Sequence, residues 1–287
     1  MNKKVKYILE QEYHSFNPAD LNDGKPKKMQ PQDVINGAIY THHPTTMAEL
    51  RRDIREVLSS GTTDLNCIDV SKMVTMSHVF DQYLAGHKDG IGLSEEQQKT
   101  LNVSNWDVSA CKNFNSMFKH CEFFNGDLSE WNTGSGENFS SMFEECVSFN
   151  GDLSEWDVCS ANDFSNMFRG CTIFNSDLSE WLVGGATTFQ CMFAECPAFN
   201  CDLSEWDIRL GTTFTAMFRG CESFNCNLSK WNPMMGKYFS GMFGGCDNLD
   251  FDITKWIIDK GAFGVGEMLS DEMEEKYVDF IGFKLKD

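Results

Sequence analysis

Carboxylates recur along this chain at a fixed interval, and they are the first side chains with chemistry to offer. Glu130, Glu155, Glu180 and Glu205 stand 25 residues apart, and Lys230 takes the next place. Asp127, Asp152, Asp177 and Asp202 lie just ahead of them, with Asp157 and Asp207 just behind. A pair such as Asp127 and Glu130 has the composition of a general acid and base. The same pair returns in nearly every unit, however, whereas an active site would break the repeat. Like charges on neighbouring strands repel, so such a column either serves turns and solubility or faces a cationic partner. Calcium needs roughly six to eight oxygens converging on one point, which parallel acidic columns without a D-x-D-x-D-G loop do not supply.

Thiols are the second candidate. Of twelve cysteines, Cys121, Cys146, Cys171, Cys196, Cys221 and Cys246 form one column, and Cys201 and Cys226 a shorter one. There is no C-x-x-C and no Cys/His spacing of a zinc site. The column reads instead as reduced, buried thiols packing as small hydrophobes, a usage that fits a reducing compartment. Only His120 of the six histidines falls within the regular units. No G-x-S-x-G, Walker loop, H-E-x-x-H or dinucleotide fingerprint appears. The expectation is a protein that is not an enzyme and uses no cofactor or metal.

The elements that must position these residues are spelled by the period itself. All seven tryptophans, from Trp106 and Trp131 to Trp231 and Trp256, fall on one 25-residue ladder. Phe114 to Phe239, Met117 to Met242, Phe118 to Phe243 and Phe124 to Phe224 keep the same step, and the last column is followed each time by Asn. One unit reads F-N-x-D-L-S-E-W-x-V-x5-F-x2-M-F-x2-C-x2. A strict period of this length means units that bury their apolar faces only by stacking. Leu153, Trp156 and Val158 have the L-x-x-L-x-L spacing of a strand in leucine-rich repeats, and Phe139, Met142, Phe143 and Cys146 have the spacing of one helix face. The predicted fold class is an α/β repeat solenoid: a leucine-rich-repeat-like, right-handed coil stack with one short strand and one short helix per unit. In that register Glu130, Glu155, Asp157, Glu180, Glu205 and Asp207 line the concave strand face, the candidate partner-binding surface. The Asn column (Asn125, Asn150, Asn175, Asn200, Asn225) reads as a hydrogen-bonded ladder that holds turns.

The ends divide the chain further. Residues 1–45 form an irregular N-terminal segment. Residues 46–64 hold a capping helix and turn, announced by the Thr46–Glu49 capping box and by Leu50, Ile54, Val57 and Leu58. The solenoid covers 65–260, with a surface-loop insertion at 85–100, and 261–287 form a C-terminal cap. That cap includes a short helix begun by Ser270 or Asp271 and an edge strand at Phe280–Phe283. The net charge of −19 and pI near 4.6 argue against nucleic acid and anionic membranes as partners. Met1–Phe16 lacks the apolar stretch of a signal peptide, and no run reaches transmembrane length, so neither classical export nor direct membrane insertion is expected.

The pattern F-N-G-D-L-S-E-W-D-V … M-F-x-x-C-x-x-F-N resembles the BspA-like leucine-rich repeats, also called Mycoplasma-lipoprotein or bacterial surface protein repeats. The likeness runs from about Thr46 to Trp256. It implies a surface-exposed protein that works in adhesion or host interaction by binding a protein or matrix ligand, and the acidic charge, where it serves more than solubility, favours a basic one. The alternative is an intracellular structural or scaffold repeat protein, favoured by the cysteines and the missing export signal. The oligomeric state and the location in the cell are left open.

Overall fold

The computed structural model describes residues 34–35, 38–87, 89–250 and 256–269. The expected final helix at Ser270 or Asp271, the Phe280–Phe283 strand and most of the N-terminal segment lie outside these residues. Two short strands, β1 (Val34–Ile35) and β2 (Ala38–Ile39), pair antiparallel ahead of α1 (Met47–Ser59), the first helix among the described residues. Thr46 caps α1: its hydroxyl accepts from the Glu49 N–H, and the Glu49 carboxylate accepts from the Thr46 N–H in return. Leu50, Ile54 and Val57 form the buried face of α1 and join the same core as Leu65 and Ile68. Arg55 ties the helix to the insertion through the Gly90 carbonyl, at 3.0 Å.

Beyond α1 the chain advances in 25-residue units built from turns. In the unit Asn150–Phe174, the N–H groups of Trp156, Ala161, Met167, Cys171 and Phe174 each return to the carbonyl three residues back, at 2.9–3.2 Å. Other N–H groups reach the next unit: Phe164 to Thr188, Asn166 to Gln190, Phe168 to Met192 and Gly170 to Ala194, at 2.8–3.1 Å. The same pattern runs along the stack, and parallel bridges link Thr75, Asn113, Asn138, Asp163, Thr188, Thr213, Tyr238 and Phe263 in sequence.

Two local expectations are therefore corrected. No helix forms at Phe139–Cys146: alternate N–H groups there are taken by the neighbouring unit, so they are not free for bonds four residues back. Tight turns whose corners recur every three or four residues also bring i, i+3, i+4 and i+7 to one side, so the spacing alone does not separate the two backbones. The strand expected at Leu153–Val158 is likewise replaced by a Leu-Ser-Glu-Trp turn, although Leu153, Trp156 and Val158 are all buried. The backbone ladder between units lies further along, at residues such as 137–145.

The insertion is also more than a surface loop. A 3-10 turn at Gln82–Leu84 leads into it, and it holds a second described helix, α2 (Glu95–Thr100), capped by Ser94. Ile91, Leu93 and Leu101 enter the core, and the Gln82 amide bonds Phe80, Ile91 and Leu93 backbone groups at 2.7–3.0 Å.

Stacked rings fill the interior. Phe118, Phe143, Phe168, Phe193, Phe218 and Phe243 lie nearly parallel, with centroids 5.6–5.7 Å apart. Trp131, Trp156, Trp181 and Trp206 stack at 6.2–6.4 Å. Polar side chains then satisfy what burial would leave open. Each of these indoles donates to a carbonyl of the preceding unit, as Trp156 does to Leu128 at 2.9 Å. The column thiols do likewise, as Cys146 does to Phe118 at 3.0 Å. The Asn125, Asn150, Asn175, Asn200 and Asn225 side chains each accept the backbone N–H one unit on, at 2.8–3.1 Å.

Candidate functional surface

The acidic columns sit on the Leu-Ser-Glu-Trp turn, whose outer corner carries Glu130, Glu155, Glu180 or Glu205 into solvent. The Asp ahead of each turn has a local task. One oxygen each of Asp127, Asp152, Asp177 and Asp202 accepts the backbone N–H of Ser129, Ser154, Ser179 and Ser204, at 2.9–3.0 Å. Those N–H groups hold the four carboxyls below the usual carboxylate range. Asn227 makes the same bond to Ser229 without a charge.

The six expected surface residues divide accordingly. Asp157 accepts from the Cys159 N–H at 3.0 Å, which lowers its pKa. Asp207 is lowered chiefly by the Arg209 side chain, which it meets at 2.7–2.8 Å. Glu205 pairs with Lys230 of the next unit. Glu130, Glu155 and Glu180 are exposed and carry no ion pair among the described residues. The three form a line of uncompensated charge, on a turn edge and not on the inter-unit ladder.

A second charged group was not anticipated. Glu144 is buried on the ladder between Lys119 at 2.8 Å and Arg169 at 2.9 Å. Burial pushes its carboxyl up, but Lys119, Ser141 and Arg169 together hold it below its ordinary value. The signal available in the sequence was variation within a column, since Lys119, Glu144, Arg169, Ala194, Arg219 and Gly244 share one repeat position. Near the first unit, His78 and His43 meet the buried Asp81 and Asp69 at 2.7 and 3.1 Å.

All twelve cysteines are free thiols. Burial pushes those of the main column up, Cys246 to about 12, so they stay protonated as donors. Among the described residues, no group of three or more His, Cys, Asp or Glu is arranged to hold a metal ion. None of the described helices is long and apolar enough to cross a membrane.

Fold and surface together define a repeat protein whose chemistry is spread along columns. The family model described as Mycoplasma protein of unknown function, DUF285, matches residues 92–202 and 174–275, more than half of the 287, and the chain belongs to that family. No curated protein and no solved structure matches it.

Proposed function

We propose that this chain is a non-catalytic binding scaffold. In this reading it is a leucine-rich-repeat-like, right-handed solenoid of the BspA-like kind, whose acidic turn edge engages a basic protein or matrix segment. The observation that carries the reading is the unpaired line Glu130, Glu155 and Glu180, exposed on successive units. Asp127, Asp152 and Asp177 beside it have a local structural use, whereas these three glutamates make no ion pair among the described residues. Repeated charge on a stiff support matches an extended cationic segment at several points at once, and such binding weakens steeply with salt.

The test is an anisotropy titration with a labelled oligolysine peptide, comparing wild type with the Glu130, Glu155 and Glu180→Lys variant. The expected result is binding weakened by about tenfold or more, with thermal unfolding unchanged. Equal binding by both would remove the edge from consideration. A second reading, an intracellular scaffold, draws on the thiol column: oxidation to disulfides would cost the S–H bonds to Phe118, Phe143 and their equivalents.

A further inference from the structure

Exposed apolar side chains gather on one edge of this molecule. Of the ten large ones exposed among the described residues, five fall within four residues after a tryptophan. They are Leu182, Leu210, Met234, Met235 and Ile257, at 48–70 % exposure. The column of Leu210 and Met235 begins as Ser135, Ser160 and Gly185, and that of Met234 as Gly134, Cys159 and Gly184. Gly211 bonds to Ile208 at 3.0 Å and Gly236 to Pro233 at 2.9 Å, closing turns that hold Leu210, Met234 and Met235 outward. The acidic line shares this edge. Glu180 and Leu182 flank the buried Trp181, and both are exposed. A Cβ at Gly184 would lie 3.6 Å from Asp207, so the corner of one unit adjoins the residue after the tryptophan in the next.

Charge and apolar surface divide the edge along its length. Glu130, Glu155 and Glu180 have no ion pair among the described residues, whereas beyond them Glu205 pairs with Lys230 and Asp207 with Arg209. The uncompensated charge thus ends in the unit where the exposed apolar side chains begin. We propose, on the reading of the acidic edge as a binding surface, that its partner is a protein segment cationic at one end and apolar at the other, laid along the stack. Its basic side chains meet Glu130, Glu155 and Glu180, and its apolar ones cover Leu182, Leu210, Met234 and Met235. An extended chain sets alternate side chains roughly 6.6 Å apart. The tryptophans beside the three glutamates are 6.2–6.4 Å apart, so every second side chain of the segment meets a new unit.

Charge selects this occupant over a second copy or a lipid surface. Another copy brings a further −19, and anionic lipid is repelled for the same reason. A cationic end is drawn toward the glutamates instead. The methionines then adapt to whichever apolar side chains follow it, without a fixed shape. The two halves of the contact differ in kind: salt screens the pairs at the exposed glutamates, while apolar burial keeps its strength.

Anisotropy titrations of the full chain with three labelled peptides test this. The first, Lys-Ser-Lys-Ser-Lys-Ser-Leu-Ser-Leu-Ser-Leu, has the proposed order. The second has the same residues with lysine and leucine alternating between the serines, and the third has serine for every leucine. The first should bind at least about tenfold more tightly than either other, and its gain over the third should persist in high salt. Met234→Gln with Met235→Gln should lose most of that gain, while binding the third peptide and melting as wild type does. Should that variant misfold, Leu210→Gln replaces it. A first peptide no tighter than the second or third overturns the proposal and leaves the acidic edge standing, provided the third is bound and is weakened by the Glu130, Glu155 and Glu180→Lys variant. Failure to bind any of the three overturns both readings. A dimer in sedimentation that the glutamine variant abolishes gives the corner to a second copy, and neutral lipid vesicles bound only by wild type give it to lipid; either overturns the proposal.

Discussion

Side chains in this stack both fill space and close hydrogen bonds between units, and substitution can separate the two roles. Trp156 stacks between Trp131 and Trp181 and donates its indole N–H to Leu128. Trp156→Phe keeps an aromatic ring and loses the donor. Because the Leu128 carbonyl still accepts from Trp131, the expected loss in urea unfolding is only about 0.5–1.5 kcal/mol. Trp156→Ala should cost about 3–5 kcal/mol, and near-equal losses would show the donor to matter more than the ring. The Asp column makes a different prediction. Its folded pKa values are depressed, so its contribution is complete above the unfolded carboxylate value, about 3.9, and is lost as pH falls through the folded values. Replacing Asp127, Asp152, Asp177 and Asp202 by Asn keeps the acceptor, as Asn227 shows. Melting temperature measured from pH 7 to pH 2 should therefore fall less steeply in that variant, and an unchanged acid limb would show the bonds to be indifferent to charge. The columns themselves were legible, because 25-residue spacing states which residues are equivalent. The partners were less so: the sequence reads Cys146 as apolar filler, and only the backbone path reveals Phe118 as its acceptor.

Units are turn-built because two positions in each accept left-handed backbone. Ser116, Ser141, Asn166, Cys191, Ala216 and Gly241 have φ between 52° and 63°, and His120, Glu145, Gly170, Glu195, Gly220 and Gly245 have φ between 58° and 78°. Each is the third residue of a four-residue turn, where positive φ belongs to the type II geometry. Side chains other than glycine are strained there, by roughly 1–2 kcal/mol. Ala216→Gly should thus raise the stability measured by urea unfolding, by up to about 1 kcal/mol. In a helix the same change would lower it by about 1 kcal/mol, so the sign of the effect distinguishes the two backbones. Gly170→Ala should be destabilising, since its φ is +75° and a Cβ there would lie 2.6 Å from Glu145 Oε2. The misread helix has its cause here. Phe139, Met142, Phe143 and Cys146 report which side chains share a face, and that face is common to a helix and to successive turns. Thr46 and Glu49, by contrast, sit in a motif with one geometry, and α1 begins where they indicate. The order of the insertion is not legible within its own residues, because Gln82, which bonds into it, lies ahead of it in sequence.

At the scale of the molecule, the bonds between the regular units after the insertion join residues about one period apart, so that part of the stack should tolerate loss of a whole unit and nothing less. Excising residues 175–199 joins Phe174 to Asn200 and keeps every column. Asn150 then meets the Asn200 N–H, Trp206 stacks on Trp156, and the Cys221 thiol finds Phe168 in place of Phe193. The shortened chain should unfold cooperatively, with a urea m-value reduced in proportion to the surface one unit buries. Excising residues 175–198 leaves one residue too many. Phe199 then follows Phe174, and every later side chain meets the wrong column of the unit before it. Stacked rings, indole bonds and the Asn ladder would all be out of step across that joint. The apolar composition is unchanged by the extra residue, so a core held together by burial alone would hardly notice it. Here the C-terminal units should detach, seen as loss of two-state unfolding and of amide protection after residue 199, while units ahead of the joint stay protected. Equal behaviour of the two deletions would mean that the polar ladders follow from the packing instead of setting its register.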